Sequence, residues 1–280
     1  MKLDPKSIYL AHKLKWQIEN YSHEIGINVT NPNFVISDLF YKGAILQSPE
    51  YLYKFFSPAS HNFESLENSY LYFGNPKDFN DAFDCVLSDD DYIKSFLNQQ
   101  WLKEIGICNF STRRSKEMWT YYTDRHRGFA IKFRNNRLFL PYGNEVSIKS
   151  HVLYLKENIP NHPRLIEALK STEGKHFPEV VKMWQHQILF QHDFCRKHTS
   201  FNWESEYRMI TFSRKNLNRK IKFNPFTIES IYLGYKMAHE DVQRIKKILK
   251  NLNNVKVYKI HLNAKKQVLE EVRIKNVDSL

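Results

Sequence analysis

The chain has 280 residues, 42% hydrophobic and 15% aromatic, with only 8 Gly; that composition is enough for a sizeable core and is not that of a disordered or low-complexity chain. The formal net charge is +12, but residues 1–100 carry 8 Lys, no Arg and 13 acids, whereas residues 101–280 carry 34 basic and 17 acidic side chains. A basic C-terminal part expects nucleotide phosphates, nucleic acid or an acidic protein as partner, or else is an ordinary solvated Lys-rich surface.

In chain order, residues 1–50 read as a helical N-terminal extension, with Leu10, Leu14, Ile18 and Tyr21 near helical spacing and a turn at Asn31-Pro32. From Tyr51 the pattern alternates, which predicts a strand through Phe56, then a second at Leu71–Gly74 closed by Asn75-Pro76. A third follows at Ile105–Phe110. Ser115 is placed to cap a helix from Met118 to Asp124. Strands are expected at 128–133 and 150–155, then a mostly helical stretch over 162–198. Further strands are expected at 206–212 and 228–233, an amphipathic helix at 241–252, and closing strands at 255–262 and 268–274. Strands scattered among helices without regular alternation predict an α+β fold: two small, mostly antiparallel sheets with flanking helices around one core spanning 51–280.

Several blocks in order carry a resemblance. Asn75-Pro76-Lys77-Asp78-Phe79-Asn80-Asp81-Ala82-Phe83-Asp84 resembles "NP..FNDPFD", with Ala82 for the usual Pro. Tyr53-Lys54-Phe55 resembles an opening "YKF" strand, and Cys108-Asn109-Phe110-Ser111 resembles "CFS" with one residue intervening. Met118-Trp119-Thr120-Tyr121-Tyr122-Thr123-Asp124 with His126 and Gly128 is similar to "MWSHYADNHKG". Trp203-Glu204-Ser205-Glu206-Tyr207-Arg208 is similar to "WxYExEWR", and Ile228 to Gly234 to a closing "I..I.LG" strand. Together they resemble the domain of unknown function 2971 family. Function is not assigned by that resemblance, so the chemistry has to come from the residues.

Asn80 and Asp81 sit after a strand, either as turn formers or as groups that orient a polar ligand. Trp119, Tyr122 and His126 share a helix face if the helix runs that far, as a core stripe or as pocket walls for a nucleobase or nicotinamide. Glu204, Glu206 and Arg208 alternate, so a strand there puts all three on one face, as a salt-bridged edge or as an acid/base carboxylate with an Arg for a phosphate. The order Tyr53, then Asn80 and Ser111, then Glu206 suits an ADP-ribosyltransferase-like enzyme that uses NAD, with Glu206 stabilising an oxocarbenium-like transition state. On that reading Glu206, Tyr122 and His126 are catalytic, and Tyr53, Asn80, Asp81, Ser111, Trp119, Glu204 and Arg208 bind ligand. The alternative is a non-enzymatic module, regulatory or defensive, that senses a nucleotide or nucleic acid.

A nuclease using Asp81, Asp84 and Glu206 for Mg²⁺ matches no known spacing, and no metal is expected. No Gly-rich phosphate loop occurs, and Ser111 has no GxSxG context. Cys85, Cys108 and Cys195 are odd in number and form no CxxC pair, so free thiols in a cytoplasmic protein are expected. No apolar run of about 18 residues occurs, so no membrane span is expected.

Overall fold

The computed structural model describes residues 49–79, 81, 84–85, 105–139, 148–155, 194–212, 216–252 and 254–275. The expected helical extension lies outside them, as does most of the expected 162–198 helix; its last residues, Arg196–His198, form a strand. The chain divides into two compact units, one of residues 1–48, 75–105 and 150–201, the other of 49–74, 106–149 and 202–280.

Among the described residues the dominant feature is one mixed sheet of eight strands, not two small sheets. Its strands are β1 (Tyr51–Phe56), β3 (Ile105–Ser111), β4 (Phe129–Arg134), β5 (Ile148–His151), β8 (Glu206–Phe212), β10 (Ile228–Leu233), β11 (Lys256–Asn263) and β12 (Val268–Ile274), in the order β12-β11-β10-β4-β1-β3-β8-β5. The two-sheet expectation fails at β4. It pairs antiparallel with β1 from Tyr51↔Arg134 to Phe56↔Phe129. On its other edge it pairs antiparallel with β10, through a register shift between Ile228 and Ser230. A single strand thus fuses what the sequence offers as separate halves. β10 and β11 are parallel, and β11 and β12 form an antiparallel pair.

Alternation gives the sheet of the second unit two faces. On one, Leu52, Phe110, Phe129, Ile131, Phe133, Tyr207, Met209, Ile231 and Val257 form the main apolar core. Helices α1 (Ser60–Glu67) and α3 (His239–Leu249) bring Phe63, Leu66, Val242, Ile245 and Ile248 to it. α3 has Glu240 and Asp241 in its first turn and Lys246 and Lys247 in its last, the distribution the helix dipole favours. Burying each of these large side chains contributes about 1.5–3 kcal/mol, so this face holds most of the stability.

The other face is smaller and more polar. Phe55, Ala130, Tyr232 and Ile260 pack there with Met118 and Trp119 of α2 (Lys116–Tyr122). Ser115 caps α2 by accepting from the Met118 amide at 3.2 Å. A two-stranded ribbon of β2 (Tyr70–Tyr72) and β9 (Lys220–Lys222) completes this unit. In the first unit, β6 (Leu153–Leu155) and β7 (Arg196–His198) pair in parallel. There Lys197 and Asp84 form a buried ion pair at 3.3 Å.

Candidate functional site

The polar face of the second unit gathers most of the predicted site residues, in three arrangements. The first is a buried pair. Glu206 and Arg208 are two apart on β8 and share a face, and they are 4% and 0% exposed. Arg208 donates from Nε and Nη2 to the two oxygens of Glu206, at 2.9 and 3.1 Å. That fork geometry satisfies both charges at once.

Glu204 does not continue the alternation. It closes a 3₁₀ helix, Thr199–Glu204, and Ser205 turns the chain with φ 44°. The Ser205 carbonyl accepts from the Thr112 amide at 2.9 Å and from the Thr112 hydroxyl at 3.0 Å. Glu204 therefore belongs to the second arrangement. Tyr122 donates its hydroxyl to buried Glu204 at 2.5 Å, and buried Ser111 donates to the Glu204 carbonyl at 2.5 Å. Ser111, Tyr122 and Glu204 meet, and Tyr53 stands opposite Ser111 on the neighbouring strand.

The third arrangement is a cleft of about 540 Å³ whose lining includes Arg114, Trp119, Tyr121, His126, Tyr235 and Glu271. Helix α2 ends at Tyr122, so Trp119, Tyr122 and His126 do not form one helix face. Trp119 is 2% exposed and Tyr122 43%. His126 comes from the turn after the helix, where Asp124, Arg125 and His126 all have positive φ, at 49°, 54° and 68°. Each such non-Gly residue costs about 1–2 kcal/mol, so the turn holds only because its surroundings fix it.

Those surroundings are visible. The His126 amide donates to Trp119 O at 3.1 Å, the Arg125 amide to Thr120 O at 3.0 Å, and the Lys236 amide to His126 O at 3.1 Å. A Cβ on Gly128 would lie 1.9 Å from Phe56 O, and one on Gly234 2.1 Å from His126 O. Two glycines thus let three backbones close on the turn.

The clamped turn holds the His126 ring against Tyr235, centroids 4.8 Å apart, with Nε2 3.3 Å from the Thr120 hydroxyl. Nδ1 is buried and has no hydrogen-bond partner. Burial, and then the nearby charge of Lys236, holds the imidazole below its usual range, so it is neutral at neutral pH. Opposite, Arg114 lies over the rings of Tyr53 and Tyr232, at 5.0 and 4.4 Å. Its Nη1 is 2.5 Å from Glu271, an ion pair not aligned as a hydrogen bond. Burial pushes Tyr232 up to about 12, against the opposing pull of Arg114.

Of the remaining predicted residues, Asn80 lies outside the described residues and Asp81 belongs to the first unit. The sequence reading missed Arg114, Tyr235 and Glu271. Only Glu271 had a signal, since alternation along β12 sets it on the same face as Leu269. The three cysteines are buried and not joined in disulfides. Among the described residues no group of His, Cys, Asp and Glu is placed to hold a metal, and no helix is long and apolar enough to cross a membrane.

No curated protein and no solved structure matches the chain. A family does match, over residues 118–209, a segment that contains α2 from Met118 onward, the strained turn and the Glu204–Arg208 run. The family read from the motifs is thus the one found: residues 118–209 match the family described as Protein of unknown function (DUF2971).

Proposed function

We propose that the second unit binds a nucleotide, with NAD as the leading candidate, and that the cleft beside His126 receives its planar ring. The observation that carries this reading is the buried, unpartnered Nδ1 of His126, held by a turn of three strained residues. Strain of that kind collects at functional sites, where the fold offsets it. An unsatisfied buried polar atom costs about 1–3 kcal/mol, and a ligand that bonds it recovers that cost.

The chemistry around the atom supports a neutral, flat, hydrogen-bonding guest. Tyr121 and Tyr235 supply ring faces, and a neutral imidazole pairs with an amide or base edge. Lys116, which also lines the cleft, gives phosphates a place on its rim. Glu206 is occupied by Arg208. In ADP-ribosyl transfer the bond from ribose to nicotinamide breaks and the acceptor bonds to the same carbon. Glu271, which lines the cleft, is held by Arg114 in the same way, so neither carboxylate stands open to that carbon.

The test is calorimetric titration of the full chain with NAD, AMP and nicotinamide, on the wild type and on Tyr235→Ala. Binding that falls at least about tenfold in the variant, the worth of one lost stacking contact, supports the reading. No binding of any of the three, or equal binding by both proteins, overturns it.

A further inference from the structure

A second cleft, of about 550 Å³, is lined by Lys54, His61, Tyr72, Tyr122 and Lys220 among others, with no acidic side chain in its lining. Its outer wall is the β2–β9 ribbon. Tyr70 pairs with Lys222, Leu71 with Ile221 and Tyr72 with Lys220, and directly paired residues share a face. Leu71 and Ile221, each 1% exposed, anchor the ribbon in the main core. The alternation therefore sends Tyr70, Tyr72, Lys220 and Lys222 together to the other face.

That face alternates rings and cations. Lys220 Nζ lies 4.8 Å from the Tyr70 ring centre and is ion-paired with Glu64 at 3.1 Å while its side chain stays 56% exposed. Tyr72 is 54% exposed, and Tyr122 on the facing wall 43%. Two exposed tyrosines that line one cleft with two lysines give ring faces for successive bases and cations for the phosphates that link them.

We propose that this cleft and ribbon bind single-stranded nucleic acid, with Tyr72 and Tyr122 stacking on bases and Lys54 and Lys220 contacting phosphates. The proposal stands independently of the nucleotide reading, because it uses no residue of the cleft beside His126. Rings recognise any base by its face, so little sequence preference follows. A duplex hides those faces and binds more weakly. With two lysines on phosphates, the logarithm of affinity falls with the logarithm of salt with a slope of about −1.4.

The experiment is fluorescence anisotropy of a labelled single-stranded oligonucleotide and its duplex, titrated with the full chain at stepped salt. The variants are Tyr72→Ala and Lys220→Ala, both at exposed positions that leave the core intact. Expected are binding of the single strand over the duplex, a loss of about tenfold in Tyr72→Ala, and a salt slope shallower by about 0.7 in Lys220→Ala. No binding of the single strand, equal affinity for duplex and single strand, or indifference to Tyr72→Ala would each overturn it. Because the oligonucleotide is read by anisotropy and NAD by calorimetry, failure of one reading is distinguishable from failure of the other.

Discussion

Replacing Arg208 with Met probes the buried pair directly. Arg208 is 0% and Glu206 4% exposed, and two charge-assisted hydrogen bonds of 2.9 and 3.1 Å join them. Removing one partner of a buried pair leaves the other charge uncompensated and costs about 3–5 kcal/mol. That is a large part of the roughly 5–15 kcal/mol that holds a domain together. For a protein of this size, 1 kcal/mol moves Tm by roughly 2–4 °C, so Arg208→Met should melt about 6–20 °C lower. Glu206→Gln removes the carboxylate charge from beside the buried guanidinium instead and should lose a similar amount. The double variant Glu206→Gln/Arg208→Met removes both charges, so its loss should fall short of the sum by about 2–3 kcal/mol. Urea melts read all three, with an unchanged slope required for the comparison. A loss below about 1 kcal/mol in Arg208→Met, or strict additivity in the double variant, would refute the claim that the pair is a buried unit.

Other consequences are as direct. Glu229 accepts from Lys256 and Arg134, at 2.7 and 2.9 Å, and these bonds, Lys256 first, hold its pKa at about 2. A depressed carboxylate contributes stability that is present above its unfolded value and is lost as pH falls through the folded one. Glu229→Gln should therefore cost about 1 kcal/mol at neutral pH and almost nothing near pH 2, a difference visible in denaturant melts across pH. Gly128→Ala and Gly234→Ala drive a methyl to 1.9 and 2.1 Å from a carbonyl oxygen; each should cost about 3 kcal/mol or more, measured by thermal melting. Burial pushes the Cys108 thiol up, and Cys85 and Cys195 are buried as well. A thiol reagent should accordingly label the native protein far more slowly than the urea-unfolded one.

Much of the local structure was legible because it follows from neighbours in sequence. The strands at 51–56, 105–111, 206–212, 228–233 and 268–274 announce themselves by alternation, and Ser115 by its capping role. The sheet was not legible. Its unity depends on β10 docking on β4, with a register shift at Ile228/Ser230, and that is a long-range fit no short window contains. The site was partly legible for the same reason. Ser111, Tyr122 and Glu204 could be named from their blocks, and they do meet.

Their roles depend on where helix α2 stops and where Ser205 turns. A turn with φ 44° at Ser205 breaks the alternation that would align Glu204 with Glu206. Three left-handed residues after Thr123 take His126 off the helix and into the cleft. Non-glycine residues carry little signal for such backbone, whereas Gly128 and Gly234, which make room for it, are visible in the sequence but silent about why.

The central claim is that a nucleotide ring occupies the cleft at His126, and the ring nitrogens of that residue report on it most directly. With ¹⁵N-labelled histidine, Nδ1 of His126 should show the spectrum of a neutral imidazole and should shift as NAD is added. The shift should saturate with the calorimetric Kd and disappear in Tyr235→Ala. A His126 signal that stays fixed while NAD binds elsewhere, or that titrates as an ordinary exposed imidazole, would contradict the account.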